Sequence, residues 1–149
     1  MNHKISVLTT TALFYFLFSC TGTRPDTLGV KSEKLAECPK TPNCVSSFAD
    51  PSDLEHYRSS VPYKKPLAAA QLSLKEKLEQ SPRVKLIQVN TNYIYAEFTS
   101  LIMRYVDDVE FYFDEKNKIL HFRSASRLGK SDFGVNRKRI ELILKDLEI

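Results

Sequence analysis

Between Asp107 and Arg123 the chain alternates apolar and polar residues so regularly that a β-hairpin is the natural solution. Val109, Phe111 and Phe113 alternate with Asp108, Glu110 and Tyr112. After the polar run Asp114-Glu115-Lys116-Asn117-Lys118, Leu120 and Phe122 alternate with His121 and Arg123. A period of two assigns each set to one face of a strand. Closing the hairpin with a loop over 115–118 sets Phe113 opposite Leu120, Phe111 opposite Phe122 and Glu110 opposite Arg123. This register matches apolar with apolar and acid with base, and a one-residue slip would undo both.

The remaining segments arrange themselves around this hairpin. Leu67, Ala70, Leu74 and Leu78 recur at helical spacing from Pro66 to Gln80, with Pro66 suited to the first turn and Ser81-Pro82 ending the helix. Val84 to Val89 and Tyr93 to Ser100 read as a second hairpin, joined by Asn90-Thr91-Asn92. Leu101 to Val106 is a further strand or a bend. Ser131 or Asp132 caps a last helix from about Gly134, which turns Ile140, Ile143, Leu144 and Leu147 to the core. Helix, four or five antiparallel strands and helix make an α+β domain, with the N-terminal and C-terminal helices packed on one sheet face.

The N-terminus carries an address. Lys4 is followed by a mostly apolar run from Ile5 to Phe18 and then Ser19-Cys20, the layout of a secretory signal too short to span a bilayer comfortably. Leu17-Phe18-Ser19-Cys20 resembles the bacterial lipobox, although Phe18 departs from the small or β-branched residues usual there. That resemblance implies a lipoprotein signal peptide over 1–19, acylation of Cys20 and a membrane anchor, palmitate among the acyl groups. Cleavage after Ser19 without lipid and an uncleaved amphipathic anchor are the competing readings. Thr21, rather than aspartate, follows the cysteine. By resemblance to enteric sorting this points to the periplasmic face of the outer membrane rather than the inner membrane. Residues 20–37 read as the lipidated cysteine and a flexible tether, and 38–149 as a single globular domain.

Lipidation of Cys20 leaves Cys38 and Cys44 as a pair in an oxidising compartment, where a disulfide is the expected outcome. Zinc competes poorly, because His56 and His121 do not stand at ligand spacing from the cysteines. The formal charge of +4 includes Lys4 and has no long basic run, which argues against a nucleic-acid partner. No motif calls for a cofactor or a metal.

The candidate ligand-binding residues are Asp107, Asp108, Glu110, Arg123, Ser126, Arg127, Asn136, Arg137 and Arg139, with Ser124, Gly129 and Asp132 nearby. Cations in the first turns of the last helix oppose its dipole, so something negative should lie close. Three readings follow: a structural ion-pair network, an anion site at a helix N-terminus, or catalysis by paired carboxylates and serines. No nucleophile elbow or phosphate-binding glycine loop supports the third. His121 is expected to stack beside Tyr112 rather than act as a base, and Tyr93 and Tyr95 are candidates for a binding face or for simple cross-strand packing.

Three stretches carry a family resemblance: Cys38-Pro-Lys-Thr-Pro-Asn-Cys-Val-Ser-Ser47, Asp107-Asp-Val-Glu-Phe111 and the arginine-rich run from Arg123 to Glu141. They resemble the family catalogued as domain of unknown function 1499, from about Cys38 to Leu147. Its members include bacterial proteins and relatives in the plant thylakoid lumen. The resemblance implies one whole domain and an exported setting, and it supplies no catalytic residues. The expectation is a non-enzymatic envelope lipoprotein that binds a small anionic ligand or an envelope protein, or serves a structural role; the alternative is an envelope enzyme, perhaps a hydrolase.

Overall fold

The computed structural model describes residues 21–149, so the signal and Cys20 expectations lie outside the described residues. Six strands and two helices follow one another as β1 (Cys44–Ser46), β2 (Val61–Pro62), α1 (Leu67–Glu79), β3 (Val84–Asn90), β4 (Tyr93–Thr99), β5 (Val106–Asp114), β6 (Ile119–Ser126) and α2 (Val135–Leu144). The sheet is antiparallel in the order β1-β6-β5-β4-β3, with β2 also paired to β6. The architecture is the expected α+β class. The strand count is slightly larger than expected, because β1 and β2 are too short to show a period of two.

The central hairpin has the expected register, with Phe113 opposite Leu120, Phe111 opposite Phe122 and Glu110 opposite Arg123. On one face Ile94, Phe111, Phe113, Leu120 and Phe122 meet Ala70, Leu74 and Leu78 of α1 and Ile140 and Ile143 of α2. These are the helical positions spaced three and four apart, so both helices cover the same face. The Asp132 carboxylate accepts the backbone N–H groups of Gly134 and Asn136 at 3.0 and 2.7 Å. It thereby caps α2 and supplies the negative charge its arginine-rich start needs. Leu101 to Tyr105 is a bend rather than a strand, closed by the Ser100 N–H on the Tyr105 carbonyl at 2.8 Å. Cys38 and Cys44 form a disulfide.

One expectation needs correction. The stretch from Thr21 to Glu37 is not a free tether: it lies across the second face of the sheet. Leu35 is buried, and Leu28 and Val30 pack with it against Tyr93, Tyr95 and Tyr112. The Gly29 N–H donates to Glu110 Oε1 at 2.8 Å. These apolar residues follow neither period, so the sequence pattern conceals them, but the tyrosines and carboxylates of that face require cover. Leu35 thus belongs to the buried apolar residues of the described part of the chain. Leu35→Ala should therefore lower the unfolding free energy by about 2 kcal/mol or more. A free tether would leave the chemical denaturation midpoint unchanged.

Candidate functional site

Asp107 and Asp108 are neighbours on a strand, so their side chains enter opposite faces. This divides the expected polar cluster into two networks separated by the sheet.

On the face under residues 21–37, β6 brings Arg127 beside Asp108, which faces Glu97 across the β4–β5 pairing. Arg127 Nε donates to both Asp108 oxygens at 3.1 and 2.9 Å. Its Nη2 donates to Asp108 Oδ1 at 2.7 Å, to Tyr95 Oη at 2.9 Å and to Glu97. Tyr95 donates its hydroxyl proton toward Asp108 at 2.6 Å, and Arg24 reaches Glu97 from the covering segment at 2.6 Å. Burial pushes the Tyr95 hydroxyl well above its usual range, with the adjacent carboxylates adding to the effect. Burial also works against the Glu97 charge, but hydrogen bonds from Arg127 and Arg24 prevail and hold its carboxyl down at about 2. A second centre surrounds Glu110, which accepts from Tyr93 at 2.9 Å and from Gly29 at 2.8 Å and pairs with Arg123 at 3.4 Å. Burial raises the Glu110 carboxyl above its usual value. Arg123 Nε is buried without a protein partner, a position suited to an ordered water.

On the helix face, Asn136 is the junction. Its amide donates to the Asn43 carbonyl and to Ser126 Oγ, each at 3.0 Å, while its oxygen accepts from Ser124 and Arg139. Arg139 pairs with Asp107 and lies over the Phe98 ring, 4.9 Å from its centre. Arg137 is separate from this group: its Nη2 donates to the carbonyls of Leu54, Glu55 and Tyr57, each at 3.0 Å, holding the 54–57 loop to α2.

All nine candidate residues thus make definite contacts, but they do not form one site. Arg123 and Arg127 are buried on the second face, and Arg137 is engaged with backbone carbonyls. Asp107 and Arg139 alone of the nine border an open apolar cleft of about 440 Å³ between the end of α1, α2 and the β4–β5 bend. That volume lies in the range of small-molecule sites. Phe98, Leu101, Val135, Leu142 and Ile143 supply its apolar surface, and Lys77, Arg83 and Lys138 join its border. Another cleft, of about 500 Å³, lies between Leu54, Phe133 and Arg137.

Sequence reading missed Glu97, Arg24, Asn43 and Ser47. Glu97 was accessible in principle, because it follows Tyr93 and Tyr95 at a spacing of two. Ser47 Oγ lies 3.1 Å from His121 Nδ1. His121 stacks on Phe48, with ring centres 4.1 Å apart, and on Tyr112, 6.1 Å away. Among the described residues no group of three His, Cys, Asp or Glu side chains is placed to hold a metal ion, and no helix is long and apolar enough to cross a membrane.

A six-stranded antiparallel sheet with buried charge on both faces, two helices over one face and an extended segment over the other defines a small α+β domain. The chain belongs to the family described as protein of unknown function DUF1499, whose model matches residues 34–147. No curated protein matches it.

Arg127→Ala would leave the Asp108 and Glu97 carboxylates without their main cation. It should cost about 3–5 kcal/mol in denaturant unfolding, whereas loss of ligand affinity at unchanged stability would make Arg127 a ligand-contacting residue. Because the Glu97 carboxyl is depressed in the fold, its contribution is present above its unfolded value of 4.5 and lost as pH falls toward 2. Glu97→Gln should flatten the fall in melting temperature across that window.

Proposed function

We propose that this chain is a non-enzymatic envelope lipoprotein, anchored through Cys20, whose domain holds a small anionic ligand in the cleft between α1, α2 and the β4–β5 bend. The observation that carries this reading is the uneven use of charge. Arg123, Arg127, Arg137 and Arg139 have internal partners. Among the described residues Lys77, Arg83 and Lys138 have no carboxylate within ion-pair distance, Arg83 donating only through Nε to the Thr99 carbonyl at 3.1 Å, although they share one apolar cleft. Cations around a concave apolar surface favour an anion with an apolar body.

The second reading is a hydrolase, and the Ser47–His121 contact is the observation that favours it. Burial lowers the His121 pKa, which keeps the imidazole neutral as a base must be. The Ser47 hydroxyl, however, also accepts the Phe122 N–H at 3.0 Å, and neither residue lines the clefts described above. The contact is better explained as a side-chain link that continues the β1–β6 pairing beyond Ser46.

Anilinonaphthalene sulfonate, an anionic apolar probe, should fluoresce with the native domain and lose that signal in Leu142→Arg at unchanged melting temperature. Equal fluorescence in the variant would remove the cleft from consideration. Ser47→Ala should leave any ester hydrolysis at background, and a large loss of turnover would favour the enzyme. Mass spectrometry of the mature protein should find an acylated Cys20 as its first residue; an intact Met1 or an unmodified cysteine would remove the anchor.

A further inference from the structure

The cleft and residues 21–22, the described residues nearest Cys20 in sequence, lie at the same end of the sheet. Gly22 lies so close to the residues just after β6 that a Cβ there would meet Arg127 Cβ and Leu128 Cγ at 3.0 Å. The Arg127 N–H donates to the Val106 carbonyl at 3.1 Å, and Val106 is paired with Thr99. The bend from Leu101 to Tyr105 therefore projects from the end of the sheet against which Gly22 lies. Leu101, Ile102 and Met103 at its tip are 68%, 84% and 52% exposed. Three consecutive exposed apolar residues are costly in water and suited to a lipid surface. Leu101 belongs to both the tip and the cleft, so one side chain joins the exposed patch to the concave one.

We propose that the cleft takes a single-chain anionic amphiphile from the membrane surface, with its acyl chain along Phe98, Leu142 and Ile143 and its carboxylate or phosphate head among Lys77, Arg83 and Lys138. The inference rests on the cleft being the binding site and adds the chemical class of its occupant. A free fatty acid and a lysophospholipid share that chemistry. The apolar surface selects the chain. The cations select the head: among the described residues the only carboxylate on the border is Asp107, and Arg139 already neutralises it. The exposed tip gives the ligand an apolar route from bilayer to cleft without full transfer through water.

Calorimetric titration of the full chain tests this with octyl and decyl phosphate, octanoate and decanoate below their micelle concentrations. Each buried methylene should tighten binding about fourfold, so decyl should exceed octyl by about fifteenfold. Decyl maltoside and decyltrimethylammonium should bind at least tenfold more weakly than decyl phosphate. Lys77→Gln with Lys138→Gln should weaken both anions about tenfold at unchanged melting temperature. Lysophosphatidic acid and palmitate, presented in phosphatidylcholine vesicles, distinguish the two sources by which is withdrawn. Ile102→Ser with Met103→Ser should slow that withdrawal while leaving decyl phosphate affinity intact. Equal binding of the neutral or cationic amphiphiles, or no dependence on chain length, would overturn the inference. If anilinonaphthalene sulfonate binds the cleft and the alkyl anions do not, the amphiphile falls and the cleft site stands. If none of them binds, both fall.

Discussion

Strand β5 is buried from Val106 to Phe113 and carries carboxylates toward both sides of the sheet. Charge taken out of water on both faces of a central strand must be met from both sides. Arg139 answers Asp107 from α2, Arg123 answers Glu110 from β6, and Arg127 answers Asp108 from just beyond its end. The packing of the last helix and the register of the hairpin are thus tied to one electrostatic requirement. The covering of the second face belongs to it as well, because Arg24 and the Gly29 N–H complete the carboxylate shells. Without the segment that carries them, Glu97 and Glu110 would each lose a donor in a region of restricted solvent.

The parts of the fold legible in the sequence are those governed by period. The hairpin from Asp108 to Arg123 follows from alternation and one acid–base match, and Ala70, Leu74 and Leu78 follow from helical spacing. The parts that were not legible depend on partners distant in the chain. Leu28, Val30 and Leu35 have no period of their own and become apolar cover only once the tyrosine face exists. Strand β1 is three residues long and is defined by β6, far along the chain. The polar cluster was legible as a set of residues but not as an arrangement. Adjacent Asp107 and Asp108 look like one acidic feature in sequence, and the pleat sends them to opposite sides.

That division also changes what the arginines can do. A guanidinium held by two carboxylates and a tyrosine, as Arg127 is, has little capacity left for an external anion. Among the described residues, the cleft cations without a carboxylate partner are Lys77, Arg83 and Lys138; Lys77 and Arg83 drew no attention in the sequence because they belong to no dense run, and Lys138 was read only together with the arginines that flank it. Strongly bound charge builds the domain, and loosely held charge borders its cleft.

The disulfide acquires another meaning from Asn43, which lies inside the ring it closes. A ring of this size contributes only about 2 kcal/mol through chain entropy. Yet Asn43 places its carbonyl on the Ser126 N–H and the Asn136 amide, and its own amide on the Gly129 carbonyl. The shape of the cysteine ring and the docking of α2 therefore favour one another, and by linkage each strengthens as the other forms. The redox poise of the compartment thus reaches the C-terminal helix through a single asparagine, so oxidation and completion of the core become one coupled equilibrium.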